Sequence, residues 1–326
     1  MKIVVAIYSA YSSWNIPARY IDRLRAAFPA HEFLHARDED EAAALIGDAE
    51  VAFASELRQR HLLAARRLRW IHSPAVGVGG MLFPEMLTSP VGLTNSRGIA
   101  ADAIAEHVIA VVLALFKKLP MAVVRQTQRQ WAFDAIVAPP HIRMLRGASV
   151  LVIGLGAIGS AVARNMTALG ASVAALRRRA GAEGPPAVRV YPATELHERL
   201  READVVIVAA PQTRETWGMI GREQFAAMRR DAVIVNVSRG KLIDEAALAE
   251  ALADGVISGA ALDVFEHEPL PRASPLWTLP NVLVTPHTSW FRADHWDAMT
   301  ALFEDNLRRY ERGQPLLNPV DKEAGY

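Results

Sequence analysis

The sequence predicts an α/β protein built from two doubly wound parallel sheets, and three observations support this prediction. The chain has 326 residues, which is more than one ordinary domain needs. Strand-like and helix-like segments alternate along almost all of it, which is typical of parallel strands joined by crossover helices. A glycine-rich turn at residues 154–159 connects one such strand to a helix. Two α/β domains are therefore expected.

The first hundred residues contain short runs rich in Val, Ile and Leu, separated by amphipathic segments. We expect strands at Ile3–Ile7, Val51–Ala54, Leu68–His72 and Gly92–Asn95. We expect helices at Pro17–Phe28, Glu39–Ile46 and Arg58–Ala65. The helix predicted next, Ala100–Lys118, is apolar along most of its length, so it should be buried on more than one side, between domains or between subunits.

The alternation resumes at residue 149, after a less regular segment at 125–143. The expected strands are Ser149–Ile153, Ser172–Leu176, Val205–Ala209, Ala232–Val237, Ile257–Leu262 and Val282–Thr285. The expected helices are Ala161–Leu169, Asp244–Ala253 and Arg292–Arg312. This order predicts a domain of residues 98–288, inserted into a smaller domain made of residues 1–97 and 289–326.

Composition excludes several classes of function. The net charge is +1 and the basic residues are spread out, so neither a nucleic-acid partner nor an anionic membrane surface is indicated. The chain has no cysteine, which excludes disulfides, thiolate metal sites and a cysteine nucleophile, and no metal site is expected. No apolar run is long enough to span a bilayer, and the N-terminus lacks the features of a secretory signal. We therefore expect a cytoplasmic protein without a membrane partner.

The turn at 154–159 has the G-x-G-x-x-G spacing of a dinucleotide-binding Rossmann unit. Gly154 allows the tight turn, Gly156 lets the backbone approach a phosphate, and Gly159 lets the helix pack against the strand. The exposed N–H groups and the positive end of the helix dipole, around Ala157 and Ile158, form an anion site. A strand precedes the turn and a second strand follows the helix, so the context favours dinucleotide binding over an ordinary turn.

The end of the second strand of this unit bears on which dinucleotide binds. An NAD-binding unit usually carries an acid there, which accepts from the ribose 2′-hydroxyl. This chain instead has Arg177, Arg178 and Arg179, with no acid before Glu183. Guanidinium groups would bind a 2′-phosphate through charge-assisted hydrogen bonds. The position therefore favours NADP(H), with NAD(H) possible, although a solvated basic loop is the simpler alternative.

Reduction of a 2-oxo acid requires a cation for the carboxylate and carbonyl, an acid for the carbonyl oxygen, and a group that keeps that acid charged. Three residues in the second half, Arg239, Glu268 and His287, could meet these needs. Each follows the carboxyl end of a predicted strand, where open α/β sheets bind their ligands. Taken singly, each could also be a surface arginine, a loop glutamate or a residue that caps a strand end.

Several sequence blocks together resemble the D-isomer-specific 2-hydroxyacid dehydrogenases, which include glyoxylate and hydroxypyruvate reductases. The specific blocks are GLGAIGSAVARNMTALGASV at 154–173, NVSRGKLIDEAAL at 236–248, GAALDVFEHEPL at 259–270 and NVLVTPHTSW at 281–290. Weaker matches are PAVGVGG at 74–80 and LTNSRGIAADAIAEHVIAVVLAL at 93–115. The resemblance covers most of the chain and implies a Rossmann nucleotide-binding domain inserted into a smaller flavodoxin-like substrate domain.

The resemblance also implies roles for individual residues. Arg239 matches the clamp on the substrate carboxylate and carbonyl, His287 the general acid/base, and Glu268 its partner. A carboxylate beside an imidazole stabilises the protonated ring, which suits it to donate a proton. The backbone at Val76 and Gly77 matches the family's second anchor for the carboxylate. Trp290 is expected to border the substrate pocket, with core packing as the alternative.

Cofactor contacts are implied in the same way. The residues concerned, besides the glycine turn, are Ala157 and Ile158 at the pyrophosphate, then Ala210, Val237, Ser238 and Asp263, the last near the nicotinamide carboxamide. Two departures from the family pattern matter. Arg177 stands where the family has its acid, which again points to NADP(H). Pro211-Gln212-Thr213 replaces a common Leu-Thr pair, which leaves cofactor contacts there open.

These observations predict an NADP(H)-dependent reductase that converts a small 2-oxo acid, such as glyoxylate or hydroxypyruvate, to the D-2-hydroxy acid. One alternative is an NAD-dependent dehydrogenase of a larger D-2-hydroxy acid. Another is a nucleotide-sensing interaction protein like the C-terminal binding protein corepressors, which share this fold and triad and have a similar His-x-x-Trp pattern. Formate dehydrogenases carry glutamine at the position of Glu268, so formate oxidation is not expected. The long apolar helix and the family both predict a homodimer.

Overall fold

The computed structural model describes residues 1–178 and 184–326, and these form two compact units. The first unit comprises Met1–Ile99 and Arg292–Tyr326, and the second comprises Ala100–Phe291. The sequence predicted domain boundaries near residues 97 and 288. The assignment of one domain to the substrate and the other to the cofactor remains a prediction.

The first unit contains a parallel sheet of five strands in the order β2-β1-β3-β4-β5. The strands are β1 Lys2–Ala6, β2 Glu32–Ala36, β3 Val51–Ala54, β4 Trp70–Ser73 and β5 Gly92–Asn95. The helices are α1 Ala18–Ala27, α2 Glu39–Leu45, α3 Gln59–Ala64 and α4 Pro84–Thr88, with a C-terminal helix at His295–Glu311. Asp38 begins α2 by accepting a hydrogen bond from the Glu41 N–H, as an N-cap residue does.

The second unit contains a parallel sheet of seven strands in the order β12-β11-β10-β9-β6-β7-β8. The strands are β6 Ser149–Ile153, β7 Ser172–Arg177, β8 Arg189–Pro192, β9 Val205–Val208, β10 Val233–Asn236, β11 Gly259–Leu262 and β12 Val282–Val284. All four residues of β9 and of β10 are buried, because helices cover both faces of the sheet. The predicted α/β fold with two parallel sheets is confirmed.

The helices of the second unit divide its core into two layers. They are α5 Ala101–Phe116, α6 Leu119–Thr127, α7 Phe133–Val137, α8 Ala157–Ala168, α9 Leu196–Leu200, α10 Arg222–Ala227 and α11 Glu245–Ala253. Ile104, Val108 and Val112 of α5 share one hydrophobic cluster with α8 and one face of the sheet. Leu248 and Phe225 pack with the other face. The apolar character of α5 is thus accounted for by the core of its own unit.

Several elements differ from the sequence predictions. The helix after the glycine turn begins at Ala157, not Ala161, so the turn runs directly into the helix. Strands β2 and β8 were not predicted, because their sequences EFLHA and RVYP lack an apolar run and become strands by pairing with β1 and β7. The segment predicted to be irregular holds α7 and the end of α6.

No single helix within residues 1–178 and 184–326 is long and apolar enough to cross a membrane. Among these residues, only α5 and α6 taken together have the length and composition of a membrane span, and the two helices are bent by 68° where they meet. Seven residues of α5 are buried in the hydrophobic core of the second unit.

The close packing of α8 on β6 depends on a missing side chain at Gly159. A Cβ at this position would lie 1.9 Å from the Gly154 carbonyl oxygen, whereas a Cβ at Gly156 would meet no atom within 4 Å. We expect Gly159→Ala to lower the free energy of unfolding by about 3 kcal/mol, as overpacking against backbone does. Gly156→Ala is the matched control and should change it by less than about 1 kcal/mol. Denaturant titration measures both, and equal stabilities would contradict the packing argument.

Candidate active site

The polar residues singled out in the second half of the sequence lie at one edge of the seven-stranded sheet. β9, β10, β11 and β12 are neighbours and run parallel, so their carboxyl ends meet at the same edge. Ala210 follows β9, Arg239 follows β10, Asp263 follows β11 and His287 follows β12. This is the edge at which open α/β sheets bind ligands.

His287 and Glu268 form a hydrogen-bonded pair at this edge. The His287 Nδ1 lies 2.7 Å from Glu268 Oε2, and the Phe265 N–H donates to Glu268 Oε1 at 3.0 Å. Burial alone would raise the pKa of Glu268, but the hydrogen bonds from His287 and Phe265 and the nearby charges of His287 and Arg239 together lower that pKa below its usual value. An ionised carboxylate can only accept, so Nδ1 carries a proton and Nε2 is the ring atom left for exchange with a ligand.

The Asp263 carboxylate holds the turn that carries His287. Its Oδ1 accepts from Thr285 Oγ1 at 2.7 Å and from the Thr288 N–H at 2.9 Å, and its Oδ2 accepts from the Ser289 N–H at 3.0 Å. Asp263 is only 1% exposed, so these donors replace the water it would otherwise bind. The sequence predicted a contact between Asp263 and the nicotinamide; its role as an anchor for the histidine turn was not predicted.

His107 of α5 is a further member of this network that the sequence analysis missed. Its Nε2 lies 3.4 Å from Thr285 Oγ1, the same hydroxyl that donates to Asp263. Burial lowers the pKa of His107, and the charge of Asp263 partly opposes this effect. Burial thus disfavours the charged form of this imidazole, which lies next to the hydroxyl that donates to Asp263. Its place on a long apolar helix gave no signal of this contact.

Arg239 is a partly buried cation beside the acid–base pair. Its Nη1 donates to the Ser238 carbonyl at 2.6 Å, and Asn236 Nδ2 donates to the Arg239 carbonyl at 3.0 Å. Burial lowers the pKa of Arg239, and the charge of Glu268 partly restores it. The loop that contains Arg239 and Gly240 packs tightly on the loop that contains Phe265 and Glu268, because Gly240 has no side chain. A Cβ at Gly240 would lie 1.8 Å from the Phe265 carbonyl carbon.

The glycine turn has the shape that a dinucleotide requires. Gly154 has a φ of +96°, and the open space beside Gly156 leaves room for a phosphate against the backbone. Ala157, Ile158 and Gly159 form the first turn of α8, whose N–H groups have no intrahelical acceptor. The positive φ of Gly154, the space beside Gly156 and the N–H groups of the first turn of α8 together fit a bound pyrophosphate.

The other predicted cofactor residues of this edge lie at the ends of β9 and β10. Ala210, Val237 and Ser238 are all buried. The Ser238 hydroxyl donates to the Ala210 carbonyl, and the Val237 N–H donates to the Val208 carbonyl at 3.3 Å. These bonds join the two strand ends next to the glycine turn. Their contact with a cofactor remains a prediction.

Arg177 and Arg178 lie beside the glycine turn, because β7 is the neighbour of β6 and the Gly154 N–H donates to the Leu176 carbonyl at 3.0 Å. Arg177 is the last residue of β7 and pairs in register with Pro192 of β8. Arg178 is exposed, and its Nη1 lies 3.6 Å from Glu215 Oε2 in the loop that follows β9. Arg179 lies outside the described residues.

The substrate residues predicted at Val76 and Gly77 belong to the first unit, in the loop after β4. The buried Asn95 side chain donates from Nδ2 to the Val76 carbonyl at 2.8 Å. Because a trans peptide points its C=O and N–H in opposite directions, the Gly77 N–H points away from Asn95. The amide of Asn95 thus orients this peptide, a contact that the sequence analysis did not predict.

Trp290 lies in the turn that follows His287. The indole Nε1 donates to the His287 carbonyl at 2.8 Å, and the ring packs against the core cluster that contains α5 and α8. Its predicted contact with substrate remains untested. Within the described ranges, no group of three or more His, Asp or Glu side chains could hold a metal ion.

The lowered pKa of Glu268 makes the stability of the fold depend on pH. The ionised carboxylate stabilises the folded state above its ordinary pKa of 4.5, and this contribution is lost as the pH falls through the lowered pKa of the folded state. We expect Glu268→Gln to be less stable than the wild type at neutral pH, with the difference closing at strongly acidic pH. Denaturant titration across pH measures this. Glu223→Gln, on an exposed face of α10, is the control, and a pH-independent difference for Glu268→Gln would contradict the linkage.

Comparison with known proteins matches this chain to a family of enzymes. The family model described as "D-isomer specific 2-hydroxyacid dehydrogenase, NAD binding domain" matches residues 109–289. A glyoxylate reductase of Korarchaeum cryptofilum is 34% identical over 80% of this chain and 78% of its own length. Glyoxylate/hydroxypyruvate reductase B of Serratia proteamaculans is 31% identical over 94% of each chain.

Solved structures show the same fold over the full chain. A D-isomer specific 2-hydroxyacid dehydrogenase of Xanthobacter autotrophicus, in complex with NADPH and MES, has a TM-score of 0.85 and 31% identity, over 100% of this chain and 99% of that one. An NADPH-dependent glyoxylate/hydroxypyruvate reductase of Sinorhizobium meliloti, in complex with NADP and sulfate, has a TM-score of 0.85 and 26% identity over the same shares. The chain therefore belongs to the D-isomer specific 2-hydroxyacid dehydrogenase family, whose members are NAD(P)-dependent oxidoreductases.

Proposed function

We propose that this protein is an NADP(H)-preferring reductase that converts small 2-oxo acids, such as glyoxylate or hydroxypyruvate, to D-2-hydroxy acids. The observation that carries the proposal is the 2.7 Å hydrogen bond between His287 Nδ1 and Glu268 Oε2, which leaves Nε2 for proton transfer. Relatives named glyoxylate reductase support the substrate class. The arginines at the end of β7 support the cofactor preference.

Three side chains divide the chemistry of the reduction among them. A nicotinamide cofactor, when bound, would supply the hydride for the carbonyl carbon. Arg239 binds the substrate carboxylate and polarises the carbonyl through charge-assisted hydrogen bonds. His287 donates a proton from Nε2 to the carbonyl oxygen, so that hydride and proton together give the hydroxy acid. Glu268 stabilises the protonated imidazole and fixes its orientation.

In the first unit, the peptide between Val76 and Gly77 remains the second anchor for a carboxylate that the family resemblance implies. Its carbonyl accepts from Asn95, and its N–H is the group that would bind an anion. Trp290 is kept as a candidate for the wall of the substrate pocket.

One observation favours the NAD-dependent alternative. Arg178 is already paired with Glu215, and a carboxylate near the ribose would repel a 2′-phosphate. Both side chains are largely exposed, however, with 45% and 70% of their side-chain surface accessible, so the pair is weak and easily exchanged. A 2′-phosphate could therefore displace Glu215 from Arg178 and form charge-assisted hydrogen bonds with the guanidinium.

We also propose that the protein is a homodimer and that the segment 119–144, rather than α5, forms the interface. Eight of the 17 large apolar side chains that the structure shows exposed lie there: Leu119, Val123, Val124, Trp131, Phe133, Val137, Ile142 and Met144. A concentration of this kind marks a protein interface, and the segment has about the 20–30 residues that one side of a standard interface contributes. Closed two-fold dimers are the commonest oligomers, which favours a second copy as the partner.

The cytoplasmic location expected from the sequence remains a prediction.

A screen of 2-oxo acids with NADPH tests the proposed reaction. Glyoxylate and hydroxypyruvate should be reduced faster than bulkier 2-oxo acids, followed by the absorbance of the cofactor. His287→Ala should lower kcat by about 10²- to 10⁴-fold, the usual contribution of a general acid. His267→Ala, an exposed histidine next to Glu268, is the matched control and should retain full activity. Unchanged turnover by His287→Ala would overturn the mechanism.

Substitution of the arginines tests the cofactor preference. Arg177→Asp and Arg178→Asp should each lower kcat/KM for NADPH by about 10- to 100-fold, the effect of losing one charge-assisted hydrogen bond, with little change for NADH. Glu215→Gln should leave NADPH binding intact or improve it. Binding of 2′,5′-ADP, measured by calorimetry, reports the same preference without turnover. A wild-type preference for NADH, or no loss in either arginine variant, would contradict NADP(H) specificity.

A further inference from the structure

The backbone of His287 has a conformation that residues other than glycine rarely adopt. Its φ is +55°, in the left-handed region, where the Cβ of an L-residue is crowded by the following carbonyl. Such a conformation persists only when the surrounding contacts enforce it. The direction in which the imidazole points depends on this backbone, because the Cα–Cβ bond is fixed by φ and ψ.

Contacts from three sides enforce the conformation. The His287 N–H donates to the Thr285 carbonyl at 3.0 Å, and the next two N–H groups, of Thr288 and Ser289, donate to Asp263. The remaining backbone group, the His287 carbonyl, accepts from the indole Nε1 of Trp290 at 2.8 Å. The indole therefore fixes the peptide that leaves His287, and no backbone group of this residue is left without a partner.

The Trp290 ring is itself held in place by packing. It lies against the apolar cluster that contains α5 and α8, and its ring meets Phe291 edge to face, with centroids 5.4 Å apart and an interplanar angle of 68°. An indole fixed in this way presents its N–H in one direction only. The hydrogen bond to the histidine carbonyl thus connects the core of the unit to the proposed acid.

We propose that Trp290 is a positioning residue, whose indole N–H fixes the His287 carbonyl and so directs Nε2 at the substrate carbonyl. This inference rests on the proposed function, in which His287 is the proton donor. It differs from a role in the substrate pocket, because it requires the N–H of the indole rather than the face of its ring. Loss of that N–H leaves the His287–Thr288 peptide held on one side only, by the Thr288 N–H bond to Asp263, and so weakens the alignment of Nδ1 with Glu268.

Trp290→Phe removes the N–H and keeps an aromatic ring, so it separates the two roles. We expect kcat to fall about tenfold, the usual effect of one lost hydrogen bond, with little change in KM for glyoxylate or in the Kd for NADPH. The solvent deuterium isotope effect on kcat should rise, because proton transfer from a misaligned imidazole becomes slower. Trp277→Phe is the matched control, since that indole also donates to a backbone carbonyl, Pro271, at 3.0 Å.

A second measurement does not depend on turnover. The proton on His287 Nδ1, hydrogen-bonded to a carboxylate at 2.7 Å, should give a downfield signal in the proton NMR spectrum, assigned by its absence in His287→Ala. This signal should broaden or shift upfield in Trp290→Phe and persist in Trp277→Phe. A wild type that reduces no 2-oxo acid would refute the proposed function, while this spectrum would still decide whether Trp290 positions His287.

Two results would overturn the proposal. One is an unchanged kcat together with an unchanged downfield signal in Trp290→Phe. The other is a raised KM for bulky 2-oxo acids at unchanged kcat, which would place the ring in the substrate pocket. If Trp290→Phe does not fold, site-specific replacement of the indole N–H by sulfur, as in benzothienylalanine, keeps the ring shape and should give the same loss of kcat.

Discussion

The buried carboxylate of Asp263 holds together the carboxyl ends of β11 and β12, and the geometry of the site depends on this interaction. It accepts three hydrogen bonds, all from residues that flank His287. Asp263 is at the end of a fully buried strand, so its position is fixed by the sheet. Hydrogen bonds to Asp263 therefore fix the position of the turn that contains His287, although this turn has no regular secondary structure.

The parallel sheet explains why the glycine turn and the ionisable residues lie at the same edge. The glycine turn follows β6, in the middle of the sheet, and the ionisable residues follow β10, β11 and β12 on one side of it. Because every strand runs in the same direction, all these turns meet at one edge. The N-terminus of α8, a partly buried cation and a histidine–glutamate pair thereby lie at one edge, although their residues are as far apart in the chain as Gly156 and His287.

Burial changes the pKa values of Glu268 and Arg239 in opposite directions. It would raise the pKa of Glu268, but the hydrogen bonds from His287 and Phe265 lower that pKa instead, so the carboxylate stays ionised. It lowers the pKa of Arg239, whose ordinary value is high enough that the guanidinium keeps its charge. The site therefore presents a fixed cation beside an imidazole that has an ionised partner, an arrangement suited to bind a carboxylate and transfer a proton.

The amino-acid sequence determined the two parallel sheets, the family and the local pattern of the glycine turn, because strand periodicity, glycine spacing and residues at strand ends are properties of short segments. It could not place β2 or β8, whose strand structure comes from pairing with a neighbour rather than from their own residues. Nor could it show the contacts that Trp290, His107 and Asn95 make with His287, Thr285 and Val76, since these depend on one unusual backbone angle or on the packing of elements that are not adjacent in the chain. Only the tertiary structure decided which polar groups meet, because hydrogen-bond partners are fixed by packing in three dimensions.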